Sequence, residues 1–277
     1  MELQAYAKIN LTLDIVGLDA RKYHLLSSVF AEISLADTVS LEPGGEGITL
    51  TCPKPGIPTD GRNLCVKAAN ALLEGLNLPE RNFRIGLVKR IPSCAGLGGG
   101  SSDAAAVIKL LCRHFGLSPS DPKIREIALS VGADVPFFLQ GGVCLAEGVG
   151  ERLTSLPALP GYTVLLAKTT EAASTPQIYQ RYDALTEPQP RTTPGFLEAL
   201  RSGSDVTPFV SNHLTAATAP LCPSVLRLKH QMMAAGALAS EMSGSGSCVF
   251  GLFADPAAAE RALNEIDADF REICRFV

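Results

Sequence analysis

From Leu3 to Ile15 the chain alternates without a break. Leu3, Ala5, Ala7, Ile9, Leu11, Leu13 and Ile15 take the odd positions, and Gln4, Tyr6, Lys8, Asn10, Thr12 and Asp14 the even ones. Only an extended strand sends every second side chain to the same side, so this segment reads as a strand with one face in a core. Lys8 and Asn10 share the polar face. By periodicity alone that face reads as solvated, like the outer face of an antiparallel sheet. A second constraint lies downstream. Phe83 to Lys89 alternates weakly, and Pro92-Ser93-Cys94-Ala95-Gly96-Leu97-Gly98-Gly99-Gly100-Ser101-Ser102-Asp103 follows. Ala104, Val107, Ile108, Leu111 and Phe115 then form a helical stripe that Gly116 ends. The chain therefore combines strands with helices, and one glycine-rich turn joins a strand to a helix.

The remaining pattern fits an α+β protein. Ser28 to Leu41 is strand-like, and Asn63 can cap a helix to about Glu74. Asp121 with Pro122 starts a helix that stops at Gly132. Val143–Glu147, Tyr162–Ala167 and Cys248–Phe253 read as strands, and Pro223–Gly236 as a helix. Asp255-Pro256 opens a last helix to about Phe270, with an edge strand at Ile273–Val277. Residues 186–195, rich in Pro and Thr, read as an exposed loop. Pro157, Pro160 and Gly161 mark a boundary that divides the chain into domains 1–155 and 156–277.

Composition excludes several function classes. The 277 residues carry a net charge of −4, which argues against a nucleic-acid partner. With 46% hydrophobic and 19% charged residues, the chain can bury a full core without staples. No apolar run approaches the roughly 18 residues of a membrane span, and no leader-like segment precedes the first strand. The expected location is cytoplasmic. The eight cysteines include no C-x-x-C spacing and there are only four histidines, so zinc ribbons and thioredoxin-like motifs are absent. Scattered cysteines of this kind read as reduced core residues.

The glycine-rich turn carries the clearest chemistry. Glycines let backbone approach phosphate oxygens, and a helix start supplies unpaired N–H groups with a partial positive charge. This turn lacks the Gly-Lys-Ser/Thr of a Walker A loop. It also fails the dinucleotide fingerprint, because Ser101 holds the third glycine position. The strand before it and the helix after it argue against a flexible linker, which leaves an anion-binding turn or a tight strand-to-helix turn. Asp134, just past a helix end and beside Val135-Pro136-Phe137-Phe138, is either a carboxylate with a charged partner or a satisfied structural one. Ser243-Gly244-Ser245-Gly246-Ser247 is a loop or a second backbone nest.

In order along the chain, Ala7-Lys8-Ile9-Asn10-Leu11, the turn Pro92–Asp103 and the run Ser243–Gly251 resemble the three motifs of the GHMP kinase superfamily. Tyr23-His24, Gly132-Ala133-Asp134-Val135-Pro136 and Ala146-Glu147-Gly148-Val149-Gly150-Glu151 extend the resemblance over essentially the whole chain. It implies a two-domain fold, with an N-terminal domain like ribosomal protein S5 and a ferredoxin-like C-terminal domain. The active site is expected in a cleft. The implied activity is ATP-dependent phosphorylation of the 2-hydroxyl of a methylerythritol carrying a cytidine diphosphate, in the non-mevalonate isoprenoid route. Under it, Asp134 is the base and Lys8 the cation beside it. Pro92, Ser93, Cys94, Ala95, Gly96, Leu97, Gly98, Gly99, Gly100, Ser101 and Ser102 wrap the ATP phosphates, and Asn63 and Lys89 lie near the adenine and ribose. Tyr23 and His24 recognise cytosine, and Tyr179 stacks on its other face. Thr175 touches the erythritol portion, and Asn10 is a polar neighbour of substrate. Mg²⁺ enters as MgATP, with no metal-binding side-chain cluster and Ser102 as the one candidate ligand. The implied protein is a monomer or weak homodimer with neither nucleic-acid nor membrane partners. One departure stands out: the family's Asp-Gly before Tyr-His is Arg21-Lys22 here, which removes a glycine from the turn.

Overall fold

The computed structural model describes residues 1–187 and 189–277. Two long strands, β1 (Glu2–Leu18) and β2 (His24–Pro43), open the chain. The chain forms two compact units, each drawn from three segments. The first comprises Met1–Ala7, Leu35–Ile91 and Gly98–Gly141; the second comprises Lys8–Ser34, Pro92–Leu97 and Gly142–Val277.

The first unit adds β3 (Ile48–Thr51), α1 (Leu64–Gly75), β4 (Phe83–Val88), α2 (Gly99–Phe115), α3 (Pro122–Val131) and α4 (Val135–Gln140). β4 runs antiparallel to residues 38–43 of β2 and parallel to β3, with α1 as the crossover. Asn63 caps α1 as its position suggested: its Oδ1 accepts the Cys65 N–H at 2.9 Å. Asp121 does the same for α3 through the Lys123 N–H at 2.8 Å. The expected stripe of α2 is buried at Ala104, Val107, Ile108 and Leu111, but so are Ala105, Ala106, Leu110 and Cys112. An all-round apolar helix is a central one, and α1, α3 and α4 pack around it. The short α4 has no counterpart in the sequence reading. Pro136 in its first turn, a position where proline costs no hydrogen bond, was the available signal.

The second unit adds β5 (Val143–Gly148), β6 (Arg152–Ser155), β7 (Thr163–Lys168), α5 (Thr175–Tyr182) and α6 (Thr193–Ser202). It continues with β8 (Ser211–Asn212), α7 (Thr215–Thr218), α8 (Ser224–Ala234), β9 (Ala239–Met242), β10 (Val249–Phe253), α9 (Pro256–Glu265) and β11 (Phe270–Arg275). β5 runs antiparallel to residues 26–31 of β2 and to β6, and β8 runs parallel to β1 at Thr12 and Leu13. A separate antiparallel sheet has the order β11-β7-β10-β9. With α8 leading into β9 and α9 into β11, it is the ferredoxin-like arrangement expected of the C-terminal half. Its core joins Leu165, Ala167, Val249 and Phe253 to Leu228, Met232, Ala259 and Ala262.

Three expectations need correction. The last helix ends at Glu265, not near Phe270, and Phe270 opens β11 opposite Lys168. The loop expected over 186–195 ends by residue 192, because Pro194 starts α6 and Phe196, Ala199 and Leu200 supply its apolar face; residue 188 lies outside the described residues. From Lys8 to Asp14 the polar face of β1 is not solvated, although Gln4 is exposed. Lys8, Asn10, Thr12 and Asp14 are all buried, at 3% exposure or less. Period two reports which side chains share a face, but a polar face closes whenever distant segments bring hydrogen bonds to it.

Candidate active site

The buried polar face of β1 forms a ladder. Lys8 Nζ donates to Asn10 Oδ1 at 2.5 Å and lies 4.8 Å from the centre of the Phe30 ring. Asn10 Nδ2 donates to Ser28 Oγ at 3.0 Å, and the Asn10 N–H reaches Ser243 Oγ at 3.3 Å. Ser28 Oγ in turn donates to the Thr12 carbonyl. Thr12 Oγ1 accepts from Thr193 Oγ1 at 2.8 Å and from the Val29 N–H at 3.1 Å. At the far end, Asp14 accepts the Thr192 and Thr193 N–H groups at 3.2 and 2.9 Å, so it caps α6 from another strand. His213 Nε2 stands 3.4 Å from Asp14.

The glycine-rich turn is fixed to this ladder by backbone. The Lys8 N–H donates to the Leu97 carbonyl at 3.0 Å, and Ser243 Oγ donates to the Gly96 carbonyl at 2.9 Å. A Cβ on Gly96, whose φ is +72°, would stand 1.9 Å from the Ser243 carbonyl oxygen. Only glycine fits there. Gly98 at φ +69° is the N-cap of α2, and no side chain caps that end. The first N–H groups of α2 therefore lack intrahelical partners, as phosphate binding requires. Ala95 and Leu97 are buried anchors, whereas Ser93, Cys94 and Gly100 are exposed; Pro92, Gly99 and Ser101 are half-buried and Ser102 is buried.

Asp134 is half-buried at the residue before α4, and its side chain makes no cap hydrogen bond. The Asx-turn alternative is therefore absent. Gly132, two residues earlier, abuts the first turn of α2: a Cβ there would lie 3.8 Å from Ser101 Oγ.

The residues expected at a pyrimidine gather in the second unit. His24 and Tyr179 lie with ring centres 4.7 Å apart and planes 30° from parallel. His24 Nε2 donates to Asp183 Oδ1 at 2.7 Å, which leaves Nδ1 as the ring's other polar atom. Tyr23 is 60% exposed, under the Arg21 guanidinium at 5.3 Å. Thr175 Oγ1 lies 2.8 Å from Ser245 Oγ. In the turn before Tyr23, Lys22 adopts φ +65°, in the left-handed region that glycine favours. Asp19 accepts the Arg21 and Tyr23 N–H groups, each at 2.8 Å, and the Tyr23 bond chiefly holds its carboxyl below the usual range.

Lys89 sits elsewhere, in the first unit. Its ammonium donates to Asp37 and, at 2.7 Å, to Asp103 Oδ2. Asn63 is occupied by α1 and by a 2.7 Å bond to the Pro58 carbonyl. Asp37, Asp103, Asp183 and Ser243 were not singled out in the sequence. Ser243 and Asp103 stood in recognised motifs, but Asp37 and Asp183 carried no local signal.

Among the described residues, no three His, Cys, Asp or Glu side chains gather to hold a metal, and no helix is long and apolar enough to cross a membrane. No disulfide links the cysteines among the described residues, and burial pushes the Cys112 and Cys248 thiols up to about 11 and about 12.

The GHMP kinases N terminal domain family matches residues 63–142, and the GHMP kinases C terminal family matches residues 195–272. This chain belongs to the GHMP kinases. A 4-diphosphocytidyl-2-C-methyl-D-erythritol kinase of Geobacter sulfurreducens is 38% identical over 95% of this chain and 93% of its own length. One from Clostridium novyi is 34% identical over 99% and 98%. A solved 4-(cytidine 5'-diphospho)-2C-methyl-D-erythritol kinase matches with a TM-score of 0.81 at 36% identity, covering 100% of this chain and 99% of that one. This GHMP kinase thus has the two-domain α+β fold of its family and is an ATP-dependent kinase.

Proposed function

We propose that the chain transfers the γ-phosphoryl group of ATP to the 2-hydroxyl of 4-diphosphocytidyl-2-C-methyl-D-erythritol, a step of the non-mevalonate isoprenoid route. The strongest support is that relatives bearing that kinase's name match 95% and 99% of the chain. The site residues agree in kind.

Asp134 accepts the hydroxyl proton, and Lys8 holds the carboxylate ionised and stabilises the charge that develops. Asn10 orients Lys8. Residues 92–102 hold the phosphates with backbone N–H groups, so catalysis rests on positioning and electrostatics. Asn63 and Lys89 complete the ATP-binding set by fixing α1 and α2. Tyr23 and Tyr179 flank the cytosine. His24, braced by Asp183, offers Nδ1 to its edge, and Thr175 faces the erythritol portion.

Mg²⁺ enters on the nucleotide as MgATP, with Ser102 as the candidate side-chain ligand. When bound, Mg²⁺ neutralises phosphate charge. The domains are 1–155 and 156–277; in support, this boundary falls in the stretch between the matched regions 63–142 and 195–272. The protein works in the cytoplasm as a monomer or weak homodimer, without nucleic-acid or membrane partners.

The test is ATP consumption with and without the cytidylyl substrate, with the new phosphate located by phosphorus NMR. Phosphorylation at the 2-hydroxyl is expected. ATP turnover only with homoserine or mevalonate would overturn the reading.

A further inference from the structure

The ion cluster of the first unit has a feature that packing alone does not explain. Asp37 is fully buried, and its Oδ1 accepts the Arg90 and Ile91 N–H groups at 2.5 and 2.8 Å. Those residues lead directly into the glycine-rich turn. Its other oxygen takes Lys89 Nζ. Asp103 is 3% exposed, one turn into α2, and binds Lys89 through Oδ2. Among the described residues, its Oδ1 has no hydrogen-bond partner. A buried carboxylate oxygen left unsatisfied is costly, and an aliphatic side chain could fill the same space at lower cost. The cluster therefore has a use that depends on its charge. What it joins is specific: β2 through Asp37, the end of β4 through Lys89, and the first turn of α2 through Asp103. These elements fix both the chain entering the turn and the helix leaving it.

We propose that Asp103 is a positioning residue for the kinase reaction: bridged by Lys89 to Asp37, it sets the first turn of α2, and so aims the backbone N–H groups that hold the ATP phosphates. This rests on the phosphate-binding role given to the turn. It also gives Lys89 its part in nucleotide binding, because the ammonium reaches two carboxylates and holds α2 in place.

The experiment measures direct MgATP binding by calorimetry at saturating Mg²⁺ for the wild type, Asp103→Asn and Asp103→Glu. Direct binding keeps the identity of the phosphate acceptor out of the result. If the wild type binds MgATP but does not phosphorylate the cytidylyl substrate, the functional reading fails and this one stands. Asp103→Asn should bind about tenfold more weakly, and Asp103→Glu, which retains the charge, should recover most of that loss. In steady state, the KM for ATP should rise in Asp103→Asn and the KM for the cytidylyl substrate should stay fixed. Should Asp103→Asn not fold, Asp103→Glu should still bind MgATP about two- to threefold more weakly than wild type, with the KM for the cytidylyl substrate unchanged, and equal affinity there would overturn the proposal. Equal affinity in wild type and Asp103→Asn would also overturn it. So would affinity that improves in Asp103→Asn, since the carboxylate would then merely repel phosphate.

Discussion

Each unit buries a lysine, and the two are held differently. In the second, Lys8 is 3% exposed, reaches the neutral amide oxygen of Asn10 and lies over the Phe30 ring. It is the first rung of a ladder of hydroxyls and amides running down β1 to Asp14. In the first, the Lys89 side chain is 6% exposed and bridges two carboxylates. The ladder spreads its polar groups over many partners. The cluster concentrates charge, leaves one oxygen unsatisfied and depends on each member. A buried ion pair contributes little net stability, but breaking one leaves an uncompensated charge. The lysine needed for folding and the lysine needed for turnover should therefore be different residues.

Substitutions test that division, beginning with the largest effect. Asp134→Asn should lower turnover by about 10²–10⁴-fold, and Lys8→Met by about 10²–10³-fold, with MgATP binding kept in both. Stability of the Lys8 variant, followed by urea unfolding, should change by only about 1 kcal/mol. Turnover within twofold of wild type in either variant would remove the catalytic assignment.

Lys89→Met should instead cost about 3–5 kcal/mol of stability, because Asp37 and Asp103 lose their cation. A loss below about 1 kcal/mol would erase the contrast between the lysines. The cluster also predicts a pH signature. The Asp103 carboxyl is raised in the folded protein, to about 7 from an ordinary 3.8. Between those values the native state binds more protons than the unfolded chain, so this group's contribution to stability falls as pH rises and levels off above about 7. In Asp103→Asn that slope should be absent from the stability profile.

Rungs of the ladder should matter less. Thr193→Val removes the donor to Thr12 Oγ1 and to the Ser27 carbonyl and should cost about 1–2 kcal/mol. The smallest effect is expected at Lys22→Gly, which should stabilise by about 0.5–1 kcal/mol, since Lys22 occupies the left-handed region. A loss there would mean that the lysine makes a contact worth more than its strain.

The strand β1, the caps at Asn63 and Asp121, the end of α2 at Gly116 and the glycine-rich start of α2 were all legible in the sequence, because each rests on neighbours a few residues apart. Harder to read were α4 and α6, short helices whose proline starts lay in segments that looked like loops. The candidate site was legible only through its motifs. Lys8, Asn10 and the turn announced themselves, while Asp183 beside His24 and Asp37 beside Lys89 did not. Their partners lie 159 and 52 residues away.

What the sequence alone determined is local: where strands and helices run, which side chains share a face, and where backbone N–H groups stand uncapped for an anion. Whether the polar face of β1 meets water, and that Lys89 bridges two carboxylates, was decided by tertiary structure. The reason is physical. Periodicity and capping depend on covalent geometry over a few residues, whereas burial of a charge depends on partners that arrive only when distant segments close around it.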